Sequence, residues 1–289
     1  HILSKMEQSL KRLAILKSHV KKHSTAGVEG KVHFEIKEDI RAAIITWDFP
    51  KTLNALSKET IAPLVQYLDQ VEGDDRVGVV ILTGVNNTFS AGANITGFQE
   101  DFKFTGGVKF KSVLMKDWAR PINEFSKPII AVINGYCFGG GLEVALMCDI
   151  MIASDQANFA LPEIKLGLIP GAGGTQALIR NVGKSKAMEM ILTGNPITAE
   201  DALACNLISK VVPHDKLMEE ALNLAKKIGK LSLPSVASAK KCVRHAYEST
   251  LSQGVEYERS MFNALTGTQD VAEGVSAFLS KRKPVWSHQ

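Results

Sequence analysis

Three loops rich in glycine and other small residues constrain this chain more than any other feature of its sequence. They span residues 89–95, 134–143 and 161–175. Short apolar runs that are typical of buried strands precede them, at residues 77–82, 129–133 and 150–153. Glycine lets a ligand come close to the backbone and leaves amide groups free to point at it. Taken together, these loops predict a binding site on a fold in which strands alternate with helices.

The second loop runs from a strand end into a helix that is predicted to begin near Gly140. A helix start exposes unpaired N–H groups, which favour negative charge. The loop has neither the GxGxxG pattern of dinucleotide sites nor the GK[ST] of a Walker loop, so both readings are excluded. Glu143 lies about one turn into the helix. By itself, this carboxylate is explained equally well as a partner of the helix dipole or as a catalytic group.

The third loop carries Glu163 among apolar residues. Burying an unpaired charge is costly, so such a site raises the pKa of a carboxyl group and prepares it for proton transfer. Gly171 begins another glycine-rich helix start. The first loop, considered alone, is better explained as a tight turn. The combination of free amides with two carboxylates nevertheless favours acyl-thioester chemistry that passes through an enolate, because amides can hold the thioester oxygen as it gains charge.

The chain divides into three parts by composition. Residues 1–30 form a basic head, residues 31–206 a core of apolar strands alternating with helices, and residues 207–289 a helical region that we expect to mediate oligomerisation. The predicted helices of that last region cover residues 216–229, 234–251, 254–265 and 270–280. Apolar side chains on the first of them need a partner, which we expect to be a neighbouring subunit; they include Leu217, Ala221, Leu224 and Ala225.

Bulk properties exclude several classes of protein. No apolar run approaches the length of about 18 residues that a membrane span requires. The head holds six Lys and Arg residues against two Glu, which accounts for the whole net charge of +4. The neutral remainder argues against nucleic-acid binding, which uses basic surface to displace counterions. The four cysteines form no CxxC pair and the histidines no HExxH motif, so free thiols and no metal site are predicted.

The basic head has three possible explanations. Residues 6–23 have apolar side chains at helical spacing between lysines, which is typical of a mitochondrial presequence and predicts the mitochondrial matrix. Arg12-Leu13, followed five residues later by His19-Val20, resembles an N-terminal peroxisomal signal. A solvated arm that carries no targeting signal is the third possibility.

The motifs themselves resemble a known family. FSAGANI at 89–95, NGYCFGGGLEVALMCD at 134–149 and PEIKLGLIPGAGGTQ at 162–176 closely resemble three signature stretches of the crotonase (enoyl-CoA hydratase/isomerase) superfamily. PKTLNALS at 50–57, MEMILTGNPITAEDA at 188–202 and FLSKRKP at 278–284 are also similar to it. The resemblance covers about residues 32–286.

The resemblance implies a crotonase-like α/β fold: a spiral of β-β-α repeats with a C-terminal helical trimerisation domain, assembled as a homotrimer or homohexamer. Ala93 and Gly140 would supply the oxyanion-hole amides. Glu143 and Glu163 match the two hydratase glutamates, and Gly171 matches the glycine whose amide helps to hold water. The implied coenzyme A contacts are Lys51, Thr52, Leu53, Ala91, Ala93, Asn94, Ile95, Thr96 and Gly140, with Phe278 and Lys281 reaching in from a neighbouring subunit.

The implied activity is hydration of a trans-2-enoyl-CoA, with coenzyme A as part of the substrate and no further cofactor. Enoyl-CoA isomerase or acyl-CoA hydrolase is the nearest alternative, and an RNA-binding relative is a more distant one. Isomerases generally need one base, so the paired glutamates favour a hydratase. Asn94 stands where the family usually has Asp, and Ala160-Leu161 where it often has Gly-Gln. Neither departure removes a predicted catalytic group.

Overall fold

The structure, a computed structural model, describes residues 29–94 and 121–288. Its strands are β1 Lys31–Lys37, β2 Ala42–Asp48, β3 Val79–Gly84, β4 Thr88–Ser90, β5 Ile129–Ile133, β6 Tyr136–Phe138, β7 Ile150–Ser154, β8 Asn158–Ala160, β9 Ile197–Thr198 and β10 Lys210–Val212. Its helices are α1 Lys58–Glu72, α2 Gly140–Met147, α3 Gly174–Thr193, α4 Ala199–Ala204, α5 Leu217–Gly229, α6 Leu233–His245, α7 Leu251–Leu265 and α8 Gln269–Leu279.

Two sheets organise the core. The larger has six strands in the order β1-β2-β3-β5-β7-β10, and the smaller has four in the order β4-β6-β8-β9. Each of β3, β5 and β7 in the large sheet is followed along the chain by a short strand of the small sheet, and α2 and α3 follow the later pairs. This repeat confirms the predicted spiral of β-β-α units. All pairings in the large sheet are parallel except that of β1 with β2.

The hairpin at the edge of the large sheet follows from local sequence. In β1, exposed side chains alternate with half-buried ones, as expected for a strand with one solvated face. A short 3-10 turn, Glu38–Ile40, then leads to Arg41 in the left-handed region, with φ 54°, and β2 returns antiparallel to β1. Asp39 lies within this turn, where its type of side chain is common.

The central strands are buried on both faces. Every residue of β3 and β5 is buried, which explains why their sequences are continuous apolar runs rather than alternating ones. One face packs into the main core around Trp47, Leu82 and Phe89. The other face, which includes Ile81 and Val132, is covered by α5.

The position of α5 corrects one expectation. Leu217, Ala221 and Ala225 are buried against the large sheet of their own chain, and Leu224 packs beside them. The prediction that this apolar face meets a neighbouring subunit is therefore wrong. Periodicity showed that the face needed a partner, but the sheet surface that covers it comes from strands 60 or more residues earlier in the chain.

Charged side chains of α6 bind the C-terminal end of α2 and the residues that follow it. Asp149 accepts hydrogen bonds from Ile129 N at 2.8 Å and Arg244 Nε at 3.0 Å, and it pairs with Lys240 Nζ at 2.8 Å. Arg244 Nη2 donates to Met147 O, the last residue of α2, at 2.6 Å. Cations at a helix C-terminus are favourable because they oppose the negative end of its dipole. The C-terminal region thus holds the helix that carries Gly140 and Glu143.

Two helix boundaries, the end of α6 and the start of α7, differ from the sequence-based prediction. The predicted helix over residues 234–251 ends at His245, and the next begins at Leu251 rather than at Gly254. A capping box explains the start of α7: Gln253 N donates to Thr250 Oγ1 at 3.4 Å, and Thr250 N donates to Gln253 Oε1 at 3.2 Å. These bonds satisfy amides that the first helical turn leaves free, so the helix starts three residues earlier than predicted.

Candidate active site

The small sheet brings the three glycine-rich loops together. Strands β4, β6 and β8 are parallel neighbours, so their carboxyl ends lie at one edge. The loops that contain Ala93, Gly140 and Glu163 leave the sheet at that edge. Residues far apart in sequence therefore meet because the strands before them share a direction, as in other open α/β sheets.

Gly139 is the point at which the second and third loops touch. Its φ is 53° and its amide donates to Ala160 O at 2.8 Å, where β6 pairs with β8. A Cβ atom at this position would lie 2.9 Å from Glu163 Oε1. Both the positive φ and this close approach require glycine, so the carboxyl group of Glu163 packs directly against the backbone at the start of α2.

Glu143 is held from the opposite side by the third loop. Its carboxyl group is buried, with the residue 3% exposed, and Oε1 accepts hydrogen bonds from Ala172 N at 2.7 Å and Gly174 N at 2.8 Å. Burial raises the pKa of Glu143, while the two amides act in the opposite direction because they stabilise the charged form. The Gly-Ala-Gly-Gly run at residues 171–174 thus provides a carboxylate clamp at the N-terminus of α3.

Glu163 has a different environment. It lies in the 3-10 turn Pro162–Leu166, and its Oε2 is buried without a hydrogen-bond partner among the residues that the structure describes. Burial raises the pKa of Glu163 to about 7, and the nearby charge of Glu143 adds to this rise. The two carboxyl groups therefore differ: two amides oppose the effect of burial on the pKa of Glu143, whereas no hydrogen bond to Oε2 from the described residues does so at Glu163, whose pKa of about 7 lets it hold a proton near neutral pH.

Two backbone amides face the same space as the carboxyl groups. Leu56 N donates to Gly92 O at 2.8 Å, and Asn94 N donates to Leu56 O at 2.9 Å. This parallel bridge turns the N–H of Ala93 away from Leu56. Gly140 is the first residue of α2, so no turn of the helix precedes it to accept from its amide.

The free amides lie beside each other. A Cβ atom on Gly140 would lie 3.5 Å from Ala93 N and 3.9 Å from Glu143 Oε2. Within residues 29–94 and 121–288, neither Ala93 N nor Gly140 N donates to a backbone acceptor. The arrangement matches an oxyanion hole adjacent to an acid/base pair, in which oriented amides stabilise an oxygen that gains negative charge.

The segments predicted to contact coenzyme A lie on both sides of the bridge between Leu56 and Ala93. Lys51 and Thr52 belong to the 3-10 turn Pro50–Thr52, and Leu53 follows with φ 55°. Ala91 N donates to Leu53 O at 3.0 Å, so the turn and the first loop are neighbours. The Lys51 side chain pairs with Glu29 at the surface. In the first loop, the structure describes Asn94, whereas Ile95 and Thr96 lie outside the described residues.

The remaining predicted residues are more exposed. Gly171 is at the surface and directly precedes Ala172, which binds Glu143. Phe278 is 83% exposed, and Lys281 is exposed with φ 51° just after α8. A single chain buries neither of these two side chains.

Some functional contacts escaped prediction from the sequence. The amides of Ala172 and Gly174 were not identified as the partners of Glu143, although the glycine-rich helix start signalled that free amides were present. The backbone of Leu56 orients Ala93, but the sequence singled out Leu56 only as one residue of the family-like stretch PKTLNALS at 50–57. In the described part of the chain, no three His, Cys, Asp or Glu side chains cluster in a way that could hold a metal ion. No helix there is long and apolar enough to cross a membrane.

The chain is similar to known proteins over most of its length. The sequence pattern of the enoyl-CoA hydratase/isomerase family matches residues 35–289. The chain is 46% identical over 249 residues to "Probable enoyl-CoA hydratase, mitochondrial" of Dictyostelium discoideum, covering 86% of this chain and 88% of that protein. It is 45% identical over 247 residues to "Enoyl-CoA hydratase, mitochondrial" of Pongo abelii, covering 85% and 83%.

A solved structure extends the agreement to the fold. The crystal structure of an enoyl-CoA hydratase from Bacillus anthracis superposes with a TM-score of 0.81 at 31% identity, covering 90% of this chain and 99% of that one. The predicted family and the crotonase-like fold are both confirmed. By the matched pattern, the relatives and the architecture together, the chain belongs to the enoyl-CoA hydratase/isomerase family.

Proposed function

We propose that the chain is an enoyl-CoA hydratase that adds water to the double bond of a trans-2-enoyl-CoA, giving a 3-hydroxyacyl-CoA. The observation that carries the proposal is the buried carboxyl group of Glu143 together with the half-buried Glu163, whose Oε2 atom is buried, next to the amides of Ala93 and Gly140. The relatives whose names include hydratase support the same activity. Coenzyme A enters as part of the substrate, and the proposed reaction uses no additional cofactor.

The two carboxyl groups would divide the proton transfers between them. Glu143, whose anionic form is stabilised by hydrogen bonds from the amides of Ala172 and Gly174, accepts a proton from a water that the Gly171 amide helps to hold, and the resulting hydroxide forms the bond to the β-carbon. Glu163, protonated near neutral pH, gives its proton to the α-carbon. Transfer of a proton from Glu143 back to Glu163 restores the starting state.

The amides of Ala93 and Gly140 would stabilise the enolate formed between these steps. As hydroxide adds to the β-carbon, negative charge moves to the thioester oxygen, which the two N–H groups hold. Fixed backbone donors need no reorganisation when the charge appears, and losing one such donor typically costs about 3 kcal/mol of barrier.

A hydration assay tests the proposal directly. We expect the purified protein to remove the conjugated enoyl absorbance of crotonyl-CoA and of longer trans-2-enoyl-CoAs, with a product that has gained one water by mass. Movement of a double bond without gain of water would instead identify an isomerase, and release of free coenzyme A a hydrolase. Salt-dependent retardation of RNA in a gel, with no turnover of any thioester, would identify the RNA-binding alternative.

Gly140→Pro tests the oxyanion hole. Proline is tolerated at the first position of a helix but has no N–H, so the substitution removes one donor while α2 is kept. We expect kcat for crotonyl-CoA to fall by about 100-fold or more, with a smaller change in KM. Gly140→Ala, which keeps the N–H, is the matched control. A folded Gly140→Pro protein with unchanged kcat would show that this amide does not face the thioester.

The proposed assembly is a homotrimer or homohexamer. With α5 packed on its own sheet, several large apolar side chains of the helical region remain exposed; those on α7 and α8 include Leu251, Phe262, Phe278 and Leu279. In the proposed oligomer, Phe278 and Lys281 would complete the coenzyme A site of a neighbouring subunit. Light scattering should give three or six times the mass of one chain, and a fully active monomer at micromolar concentration would contradict the proposal.

The proposed location is the mitochondrial matrix, with the peroxisome as the alternative. The basic head and the two relatives with mitochondrial names support it; residues 1–28 of the head lie outside the described structure. The corresponding metabolic roles are fatty-acid β-oxidation or the breakdown of branched amino acids. Imaging of the chain fused at its C-terminus to a fluorescent protein, with and without residues 1–28, would distinguish the two organelles.

A further inference from the structure

Asn54 is a buried polar residue that belongs neither to the acid/base pair nor to the predicted coenzyme A contacts. It is 1% exposed and adopts φ 54°, a left-handed conformation that asparagine tolerates better than most residues. Its side chain makes two hydrogen bonds. Oδ1 accepts from Phe49 N at 2.8 Å, and Nδ2 donates to Thr88 O at 2.7 Å.

These bonds define the orientation of the amide group. Phe49 N can only donate and Thr88 O can only accept, so the oxygen and nitrogen of Asn54 cannot be exchanged. Gly84, at the end of β3, is adapted to the same contact, because a Cβ atom there would lie 2.6 Å from Asn54 Nδ2 and 2.1 Å from Thr88 O. The side chain thus ties the segment after β2 to β4 in a space without room for another heavy atom.

The segment that begins at Asn54 sets the direction of the Ala93 amide. Leu53 O accepts from Ala91 N at 3.0 Å, and Leu56 pairs with both Gly92 O and Asn94 N. These bonds turn the N–H of Ala93 away from Leu56, and a Cβ atom on Gly140 would lie 3.5 Å from the Ala93 nitrogen. A shift of residues 53–56 relative to β4 would therefore turn this amide out of line with its neighbour.

We propose that Asn54 is a positioning residue for the oxyanion hole, which ties the turn Pro50–Thr52 to β4 and thereby aims the N–H of Ala93 at the thioester oxygen. The inference rests on the proposed function, since it assigns Asn54 to the same site. One side chain then links the part of the site predicted to bind coenzyme A to the part that stabilises the developing charge.

Two substitutions separate the side-chain bonds from the backbone conformation. Asn54→Gly keeps the left-handed backbone accessible but removes both hydrogen bonds. Asn54→Asp keeps the shape: while protonated, its carboxyl group can still donate to Thr88 O, but once ionised it can only accept and is repelled by that carbonyl. The matched controls are Asn86→Gly and Asn86→Asp, because Asn86 also has φ 54° but is exposed in the turn between β3 and β4.

The measurements are kcat and KM for crotonyl-CoA, together with the absorption shift of a bound arylacryloyl-CoA, whose spectrum moves to the red when its carbonyl oxygen is polarised. For Asn54→Gly we expect kcat to fall by about tenfold or more with KM changed less than about threefold, and the red shift to shrink. For Asn54→Asp we expect kcat relative to wild type to fall by about fivefold between about pH 6 and about pH 9, as the carboxyl group ionises. Both Asn86 variants should match wild type throughout.

Several outcomes would overturn the assignment. A folded Asn54→Gly protein with wild-type kcat and red shift would do so, as would an Asn54→Asp protein whose kcat relative to wild type does not change with pH. If Asn54→Gly fails to fold, the titration of Asn54→Asp decides the matter. Failure of wild type to hydrate any enoyl-CoA would contradict the proposed function instead, and the red shift would still report whether Asn54 controls polarisation of a bound thioester.

Discussion

Glu163→Gln is expected to lower kcat for enoyl-CoA hydration by about 1,000-fold or more while the protein remains folded. Glutamine has nearly the same shape as glutamate, but it neither holds nor releases the proton that the α-carbon needs. The Oε2 atom of Glu163 has no hydrogen-bond partner in the described structure, so the substitution breaks no contact there. Stopped-flow or steady-state loss of enoyl absorbance measures the effect, and near wild-type turnover would refute the role given to Glu163.

Although Glu163→Gln should lower kcat, it should increase the stability of the folded protein near and above neutral pH. The pKa of Glu163 is raised to about 7 in the folded protein from an ordinary value of 4.5, so the folded state binds more protons than the unfolded state between these values. The contribution of Glu163 to the free energy of unfolding therefore falls as pH rises through this window, and its full destabilising effect is present above about pH 7. Glutamine cannot ionise and avoids this cost, which corresponds to about 3 kcal/mol.

Urea unfolding at about pH 4.5 and about pH 8 checks this prediction. The quantity of interest is the unfolding free energy of Glu163→Gln minus that of wild type, which should become more positive at the higher pH. Comparing the two pH values cancels any effect of the glutamine amide that does not depend on pH. Glu59→Gln, at a carboxyl group whose pKa is lowered rather than raised, is the control and should show the opposite trend.

Glu143→Gln is expected to abolish hydration to a similar extent, by about 1,000-fold, for a different reason. Glutamine Oε1 can still accept from Ala172 N and Gly174 N, so the clamp at the start of α3 should persist. The base that takes the proton from water is lost. Kinetic assays for both hydration and double-bond isomerisation should be run on this variant. If wild type showed isomerisation alone and that activity survived the substitution, the isomerase alternative would be correct.

Glu143→Ala is the companion variant that separates catalysis from structure. It leaves the two buried amides without an acceptor, so we expect it to lose about 1–3 kcal/mol of stability for each amide that water does not reach, whereas Glu143→Gln retains most of its stability. Equal unfolding midpoints for the glutamine and alanine variants would show that the two amides do not depend on the carboxyl group.

The sequence by itself predicted most of the local structure. The predicted apolar runs at residues 77–82, 129–133 and 150–153 correspond to β3, β5 and β7. Glu143 and Glu163 could be chosen because a carboxylate near a glycine-rich helix start or between apolar residues is unusual in chemical terms. These signals are local: strand burial, helix periodicity and the cost of burying a charge can all be judged from neighbouring residues.

Only the tertiary structure decided which groups meet. The parallel order of β4, β6 and β8 brings Gly139 against Glu163 and the amides of Ala172 and Gly174 onto Glu143. The partner of α5 likewise proved to be the sheet of its own chain. A hydrogen bond between groups about 30 residues apart depends on strand register and on backbone torsions that no periodicity encodes. The sequence determined the chemical groups of the site, and the packing of the two sheets determined their geometry.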